Sequence, residues 1–246
     1  IDDGSNPYNL PPSGGTAGDI LTMNGGNAVW QAPATLTGGW NLSGNMGTTA
    51  TDFIGTTDAQ DLDIRTNNTL RHRFTQKGQL EFLNTGNSVF LGEDAGENDN
   101  LVGSNSVFIG YKSGFTNISS QWNVGIGYST LQNNTSGGSN TAIGSLALRS
   151  NTTGASNTAV GLEALQANTT GGSNTAIGYR ALYSFNGSNY NTAIGSGALQ
   201  ANVNGSENTA LGGLALNNNT NGTHNVGLGM QALNFNTTGS QNVAIG

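Results

Sequence analysis

The chain has 246 residues, of which 39 are Gly and 36 are Asn, with 34% apolar residues, 9% charged residues and a formal net charge of −7. Apolar content below the usual ~45–50% and charge far below ~25% fit neither an ordinary globular domain nor a highly charged disordered chain. The lack of Cys excludes disulfides and thiolate metal sites, no run of about 18 apolar residues is present to span a membrane as a helix, and the acidic balance argues against nucleic acid as a partner.

In chain order, residues 1–12 read as a linker: all four Pro fall within the first 33 residues, and Pro11-Pro12 leads into Ser13-Gly14-Gly15. Residues 13–50 read as a β-hairpin module and its connection. Ile20 to Met23 and Ala28 to Trp30 flank Asn24-Gly25-Gly26-Asn27, a strong turn signal. A hairpin alone is marginal in water, so Trp30 and Trp40 are expected to pack between chains. Residues 51–86 read as a β-meander, with strands over 61–66, 69–75 and 79–83 and turns at Asn67-Asn68 and Lys77-Gly78. Four of the seven basic residues (Arg65, Arg71, Arg73 and Lys77) lie here, on a strand face expected to be balanced by Asp58, Asp61 and Asp63.

Residues 87–246 carry the period that decides the fold. A segment ending in an apolar residue and Gly recurs with its Gly at 92, 110, 127, 144, 161, 178, 195, 212, 229 and 246; the first interval is 18 residues and the other eight are 17. Such constancy means that each unit stacks on the last, because an insertion would break every ladder above it. Gly, Asn and Thr are poor helix formers, and the unit is shorter than helical or leucine-rich repeats. The expected fold is therefore all-β, a parallel β-roll or β-solenoid of 17-residue coils with ten repeat segments. Each coil is expected to hold two short strand-like stretches, Asn-Thr-Ala-Ile-Gly and one centred on Ala-Leu.

Read down the stack, the position before the final Gly holds Leu91, Ile109, Ile126, Ile143, Val160, Ile177, Ile194, Leu211, Leu228 and Ile245, the expected structural core of the repeat. Two residues earlier stands a Val/Thr column, and between them a column of small residues headed by Phe90 and Phe108. Strand neighbours point to opposite faces, so the Ile and Thr/Val columns share one face. A single roll encloses only one face of each strand, and the other is expected to meet further copies of the chain, most simply as an intertwined homotrimer.

The units Asn105-Ser-Val-Phe-Ile-Gly110 and Asn-Thr-Ala-Ile-Gly resemble the head repeats of trimeric autotransporter adhesins over residues 87–246. That resemblance implies a left-handed parallel β-roll in a homotrimer. Residues 52–68 resemble segments of bacterial and phage tail-fibre proteins. Opening on Ile1-Asp2-Asp3 and stopping at a repeat boundary, the chain is expected to be part of a longer fibre.

Catalytic parts are missing from the sequence: the two His, His72 and His224, stand far apart, and Glu163 and Glu207, the only acids after residue 99, lie more than two coils apart. Gly227-Leu-Gly229-Met-Gln-Ala232 matches a dinucleotide fingerprint only because it follows the repeat columns. Asn-x-Ser/Thr triplets such as those at Asn151, Asn168 and Asn236 follow from the repeat's turns. Two kinds of site are expected. Variable positions after each Gly, among them Glu163, Tyr179, Arg180 and Gln231, face outward as candidates for contact with a glycan or protein receptor. The irregular acidic segment with Glu93, Asp94, Glu97 and Asp99 offers oxygen ligands for Ca²⁺. No cofactor is called for. The expected function is a non-catalytic structural and adhesive fibre segment, outside a cell or on a virion. The alternative is the tail fibre of a phage or phage-like injection device with a glycan-active domain outside this segment.

Overall fold

The computed structural model describes residues 20–24, 27–31, 59–84 and 86–246, and the chain divides into two compact units, 1–58 and 59–246. In the first unit, β1 (Ile20–Asn24) and β2 (Asn27–Gln31) form the expected antiparallel hairpin, with Leu21 opposite Trp30 and Asn24 opposite Asn27. The linker over 1–12 and Trp40 lie outside the described residues.

The second unit opens with the meander β3 (Leu62–Thr66), β4 (Thr69–Phe74) and β5 (Leu80–Phe82), paired antiparallel in that order. Asn67 and Asn68 both take left-handed φ, 48° and 55°, as the tight turn between right-twisted strands requires. Arg73 donates to Asp63 at 2.8 Å and Arg65 donates to the same carboxylate at 3.0 Å, while Arg71 donates to the Thr66 hydroxyl; Asp58 lies outside the described residues. His72 packs edge-on against Phe82, with ring centroids 5.1 Å apart.

The remainder is a parallel solenoid. Ten three-residue strands stack in one sheet in sequence order: β6 (Val89–Leu91), β7 (Val107–Ile109), β8 (Val124–Ile126), β9 (Thr141–Ile143), β10 (Thr158–Val160), β11 (Thr175–Ile177), β12 (Thr192–Ile194), β13 (Thr209–Leu211), β14 (Val226–Leu228) and β15 (Val243–Ile245). Register is strict, each residue lying beside its equivalent one coil away, as Thr158, Ala159 and Val160 lie beside Thr175, Ala176 and Ile177.

Only one stretch per coil is a strand. The Ala-Leu stretch forms turns, and the seven leucines from Leu131 to Leu233 stand at φ between 49° and 53°. Coil-to-coil bonding persists there, with Leu148 N donating to Ala164 O and Leu165 N to Ala181 O, both at 3.0 Å. A left-handed Leu costs ~1–2 kcal/mol, and burying its side chain contributes ~1.5–3 kcal/mol, so packing decides the conformation.

The enclosed core differs from the expected one. It is built from the small column, Ala142, Ala159, Ala176, Ala193 and Ala210, packed against Ala147, Leu148 and their equivalents up to Ala215 and Leu216. The column from Leu91 to Ile245 lies on the outer face of the sheet, with Ile143 and Ile177 38% exposed and Leu211 48% exposed. The lumen of a 17-residue coil holds one Leu and small residues; a β-branched column on the strand has room only outside.

Where the lumen changes, it changes by exchange. In the first two coils Gly96 and Gly114 replace the Leu, and Phe90 and Phe108 replace the Ala, stacked with centroids 5.7 Å apart. A Cβ at Gly114 would lie 2.5 Å from the Phe108 ring, so each Phe needs its Gly.

The other half of the lumen is polar. Asn123, Asn140, Asn157, Asn174 and their equivalents up to Asn242 form one ladder: Asn157 donates through its backbone N (2.9 Å) and Nδ2 (3.1 Å) to Asn140 Oδ1, and through Nδ2 to Gly171 O at 2.8 Å. A second ladder runs through Asn117, Asn134, Asn151 and Asn168, where Asn151 Nδ2 donates to Asn134 Oδ1 and to Gly154 O. Gly154 O also accepts from Asn140 Nδ2, so one glycine carbonyl joins both ladders. Buried amides are thereby satisfied, which removes the penalty that would otherwise forbid them.

Candidate functional site

With the lumen filled, chemistry on the rod is confined to its outer columns. The structure brings Glu163, Tyr179 and Arg180 together and adds Tyr183, a residue the sequence reading did not single out. Arg180 Nε donates to Glu163 Oε2 of the preceding coil at 2.5 Å. Its guanidinium carbon sits 5.1 Å from the Tyr179 ring centre and 5.0 Å from that of Tyr183. The carboxylate beside it raises the Arg180 pKa further above its ordinary value. Gln231 is exposed in the same column as Glu163 and Arg180 but three coils beyond Arg180, and joins no cluster with them.

A second cation has the same setting. Lys112 Nζ lies 5.1 Å from the Tyr111 ring centre and 5.4 Å from that of Phe115, and Tyr111 stacks on Tyr128 at 5.4 Å. The Tyr111 hydroxyl, first, and the neighbouring Asp94 carboxylate raise the Lys112 pKa. An ammonium or guanidinium held against ring faces is attracted by their quadrupoles and loses little freedom on meeting an anion. The signal for this cluster was available in the sequence: Tyr111, Lys112 and Phe115 fall in the repeat columns of Tyr179, Arg180 and Tyr183.

The calcium site expected at Glu93, Asp94, Glu97 and Asp99 is not assembled. Among the described residues no group of three or more His, Cys, Asp or Glu side chains comes together to hold a metal ion. Asp99 instead terminates the second Asn ladder. Its Oδ2 accepts from Asn117 Nδ2 at 2.7 Å, and its Oδ1 accepts from Leu101 N at 2.7 Å and Ser104 Oγ at 2.5 Å. The last rung needs an acceptor and no donor, which is what a carboxylate supplies. Asp94 takes the left-handed φ of its column, 58°.

Asn151 and Asn168 are fully buried with both amide hydrogens committed to the ladder and Gly carbonyls, so their sequons present no acceptor at the surface of the folded rod. His224 pairs at the surface with Glu207 of the preceding coil at 2.9 Å. No helix among the described residues is long and apolar enough to cross a membrane. No family model matches this chain, and neither a curated protein nor a solved structure matches it significantly. The fold class therefore rests on the structure itself, a parallel β-solenoid of the β-roll or β-helix kind.

Proposed function

We propose that the chain is a non-catalytic structural and adhesive fibre segment, which self-associates as a homotrimer outside a cell or on a virion and presents its outer columns to a receptor. The observation that carries this reading is the outer face of the ten-stranded sheet. There the Ile column and the Thr/Val column run unbroken from β6 to β15, half-exposed, on a chain whose lumen is already closed without them. A continuous β-branched stripe on a rigid sheet is the kind of apolar surface that a further copy of the same chain covers.

Sedimentation equilibrium tests the assembly. The expected species has three times the 25.1 kDa chain mass. Substituting Ile177→Glu on the outer column is expected to return the mass to one chain while the β spectrum is retained. A wild-type chain that sediments as a monomer refutes the self-association.

A further inference from the structure

Where the meander meets the first coil of the rod, Ile64, Phe82, Leu83 and Phe90 line a cavity of about 290 Å³. Ile64 and Leu83 are left 44% and 37% exposed there, apolar surface that a ligand would take out of water.

The polar part of the lining is set by an irregularity in the sheet. Between β3 and β4, Ile64 pairs with His72 but Arg65 pairs with Leu70, so Arg71 is one residue too many on its strand. Successive strand residues ordinarily point to opposite faces, whereas a bulge re-aims a side chain, and here Arg71 and His72 both border the cavity. Arg65 and Arg73 share the Asp63 carboxylate, but Arg71 donates through Nε to the Thr66 hydroxyl at 2.9 Å, and among the described residues no carboxylate pairs with it. Thr66 also lines the cavity and, having accepted from Arg71, keeps its own hydroxyl hydrogen to give. The amide oxygen of Asn84, the remaining polar residue of the lining, is spent on Gly86 N at 3.1 Å and Ser88 N at 3.0 Å. The side-chain groups left free are therefore donors: the Arg71 Nη groups, the Thr66 hydroxyl and a His72 ring N–H. No acid lines the cavity.

We propose that this cavity binds a small amphipathic monocarboxylate, with its apolar body against Phe82 and Phe90 and its carboxylate held by the Arg71 Nη groups and the Thr66 hydroxyl. The proposal goes beyond the adhesive reading of the rod and does not rest on it. One guanidinium balances one negative charge, and its planar fork matches a carboxylate. An apolar cavity of ~150 Å³ holds a benzene, so about twice that volume takes roughly ten to twelve non-hydrogen atoms, the size of octanoate. The C-terminus of a peptide offers the same carboxylate, but it also brings a backbone N–H for which the side chains of the lining keep no acceptor.

The test is calorimetric titration of the full chain with butanoate, hexanoate, octanoate and dodecanoate. Affinity is expected to rise about fourfold for each added CH₂ up to octanoate and then to level off as the cavity fills. The neutral 1-octanol is expected to bind at least ~10-fold more weakly than octanoate. Arg71→Gln, at an exposed strand position, is expected to weaken octanoate at least ~10-fold and to leave 1-octanol unchanged. Ile64→Trp, which fills the cavity, is expected to abolish binding of both while the β spectrum is retained. Affinity that climbs as steeply from octanoate to dodecanoate, 1-octanol that binds like octanoate, or an Arg71→Gln variant that binds like the wild type overturns the proposal. So does an N-acetylated tripeptide ending in Leu that binds more tightly than octanoate.

Discussion

The exchange of Phe for Ala and Gly for Leu in the first coils predicts a strong energetic coupling. Phe108→Ala removes a fully buried phenyl ring and is expected to cost ~3–5 kcal/mol. Gly114→Leu alone drives a side chain into that ring, whose atoms lie 2.5 Å from the position of a Cβ. Overpacking of ~1–3 kcal/mol adds there to ~1–2 kcal/mol for a non-glycine residue at φ 61°. Independent effects would sum to about 5–10 kcal/mol. The double variant instead rebuilds the pair that Ala142 and Leu148 form two coils later, at the same left-handed φ. It is expected to cost only about 1–3 kcal/mol, part of it the lost stacking on Phe90, worth ~1 kcal/mol. The cycle is read from urea unfolding of the wild type, both singles and the double at one fixed protein concentration. A coupling energy below about 1 kcal/mol would mean that Phe108 and Gly114 do not share one volume, and the register of the lumen would be wrong.

Glycine columns and the meander's ion pairs give further expectations. A Cβ at Gly154 would overlap the Gly171 carbonyl oxygen and Asn151 Oδ1, so Gly154→Ala is expected to cost at least ~2 kcal/mol in urea unfolding. Gly213→Ala, whose Cβ would meet nothing nearer than the Ser196 carbonyl oxygen at 3.9 Å, is expected to cost under ~1 kcal/mol. In the meander, hydrogen bonds from Arg73, first, and Arg65 hold the Asp63 carboxyl below its ordinary value. A group lowered on folding stabilises above its unfolded pKa and loses that contribution as pH falls through the folded one. Arg73→Met is expected to move the Asp63 titration, followed by NMR, upward toward ordinary Asp; an unmoved midpoint refutes the pairing.

Period, register and chain order were legible because stacking punishes any insertion, and the turn residues Asn67-Asn68 and Gly78 stand where the sequence places them. The face that is enclosed was not legible. Alternation assigns Ile143 and Ala142 to opposite sides but does not say which side is the lumen; coil circumference decides that, and it admits the Ala. The Asn at 140, 151, 157 and 168 read locally as turn formers, although each is fully buried or nearly so and bonded to its equivalent in an adjacent coil. Their signal lay down the columns, where recurrence every 17 residues at two fixed positions exceeds what turns demand. The second expected strand failed for a related reason: apolar Ala-Leu looks extended in sequence, while its leucines reach the lumen only through left-handed backbone.

The coil that begins at Gly178 departs from the repeat both inside and outside. Where its neighbours carry Asn168 and Asn202 it carries Phe185, fully buried, and the second ladder is cut: Asn202 Nδ2 reaches only Gly205 O, while Asn219 above it donates to both Asn202 Oδ1 and Gly222 O. Each lost rung bond is worth ~1 kcal/mol and the buried phenyl contributes ~1.5–3 kcal/mol, so the exchange leaves the coil stable. The first ladder passes through the same coil unbroken, with Asn191 N donating to Asn174 Oδ1 at 2.9 Å and Asn208 N to Asn191 Oδ1 at 3.0 Å. Two ladders in one lumen thus divide the work. One tolerates substitution, and the other carries register across the interruption, which is why Arg180, on the coil where the second ladder is cut, still stands in the column of Lys112.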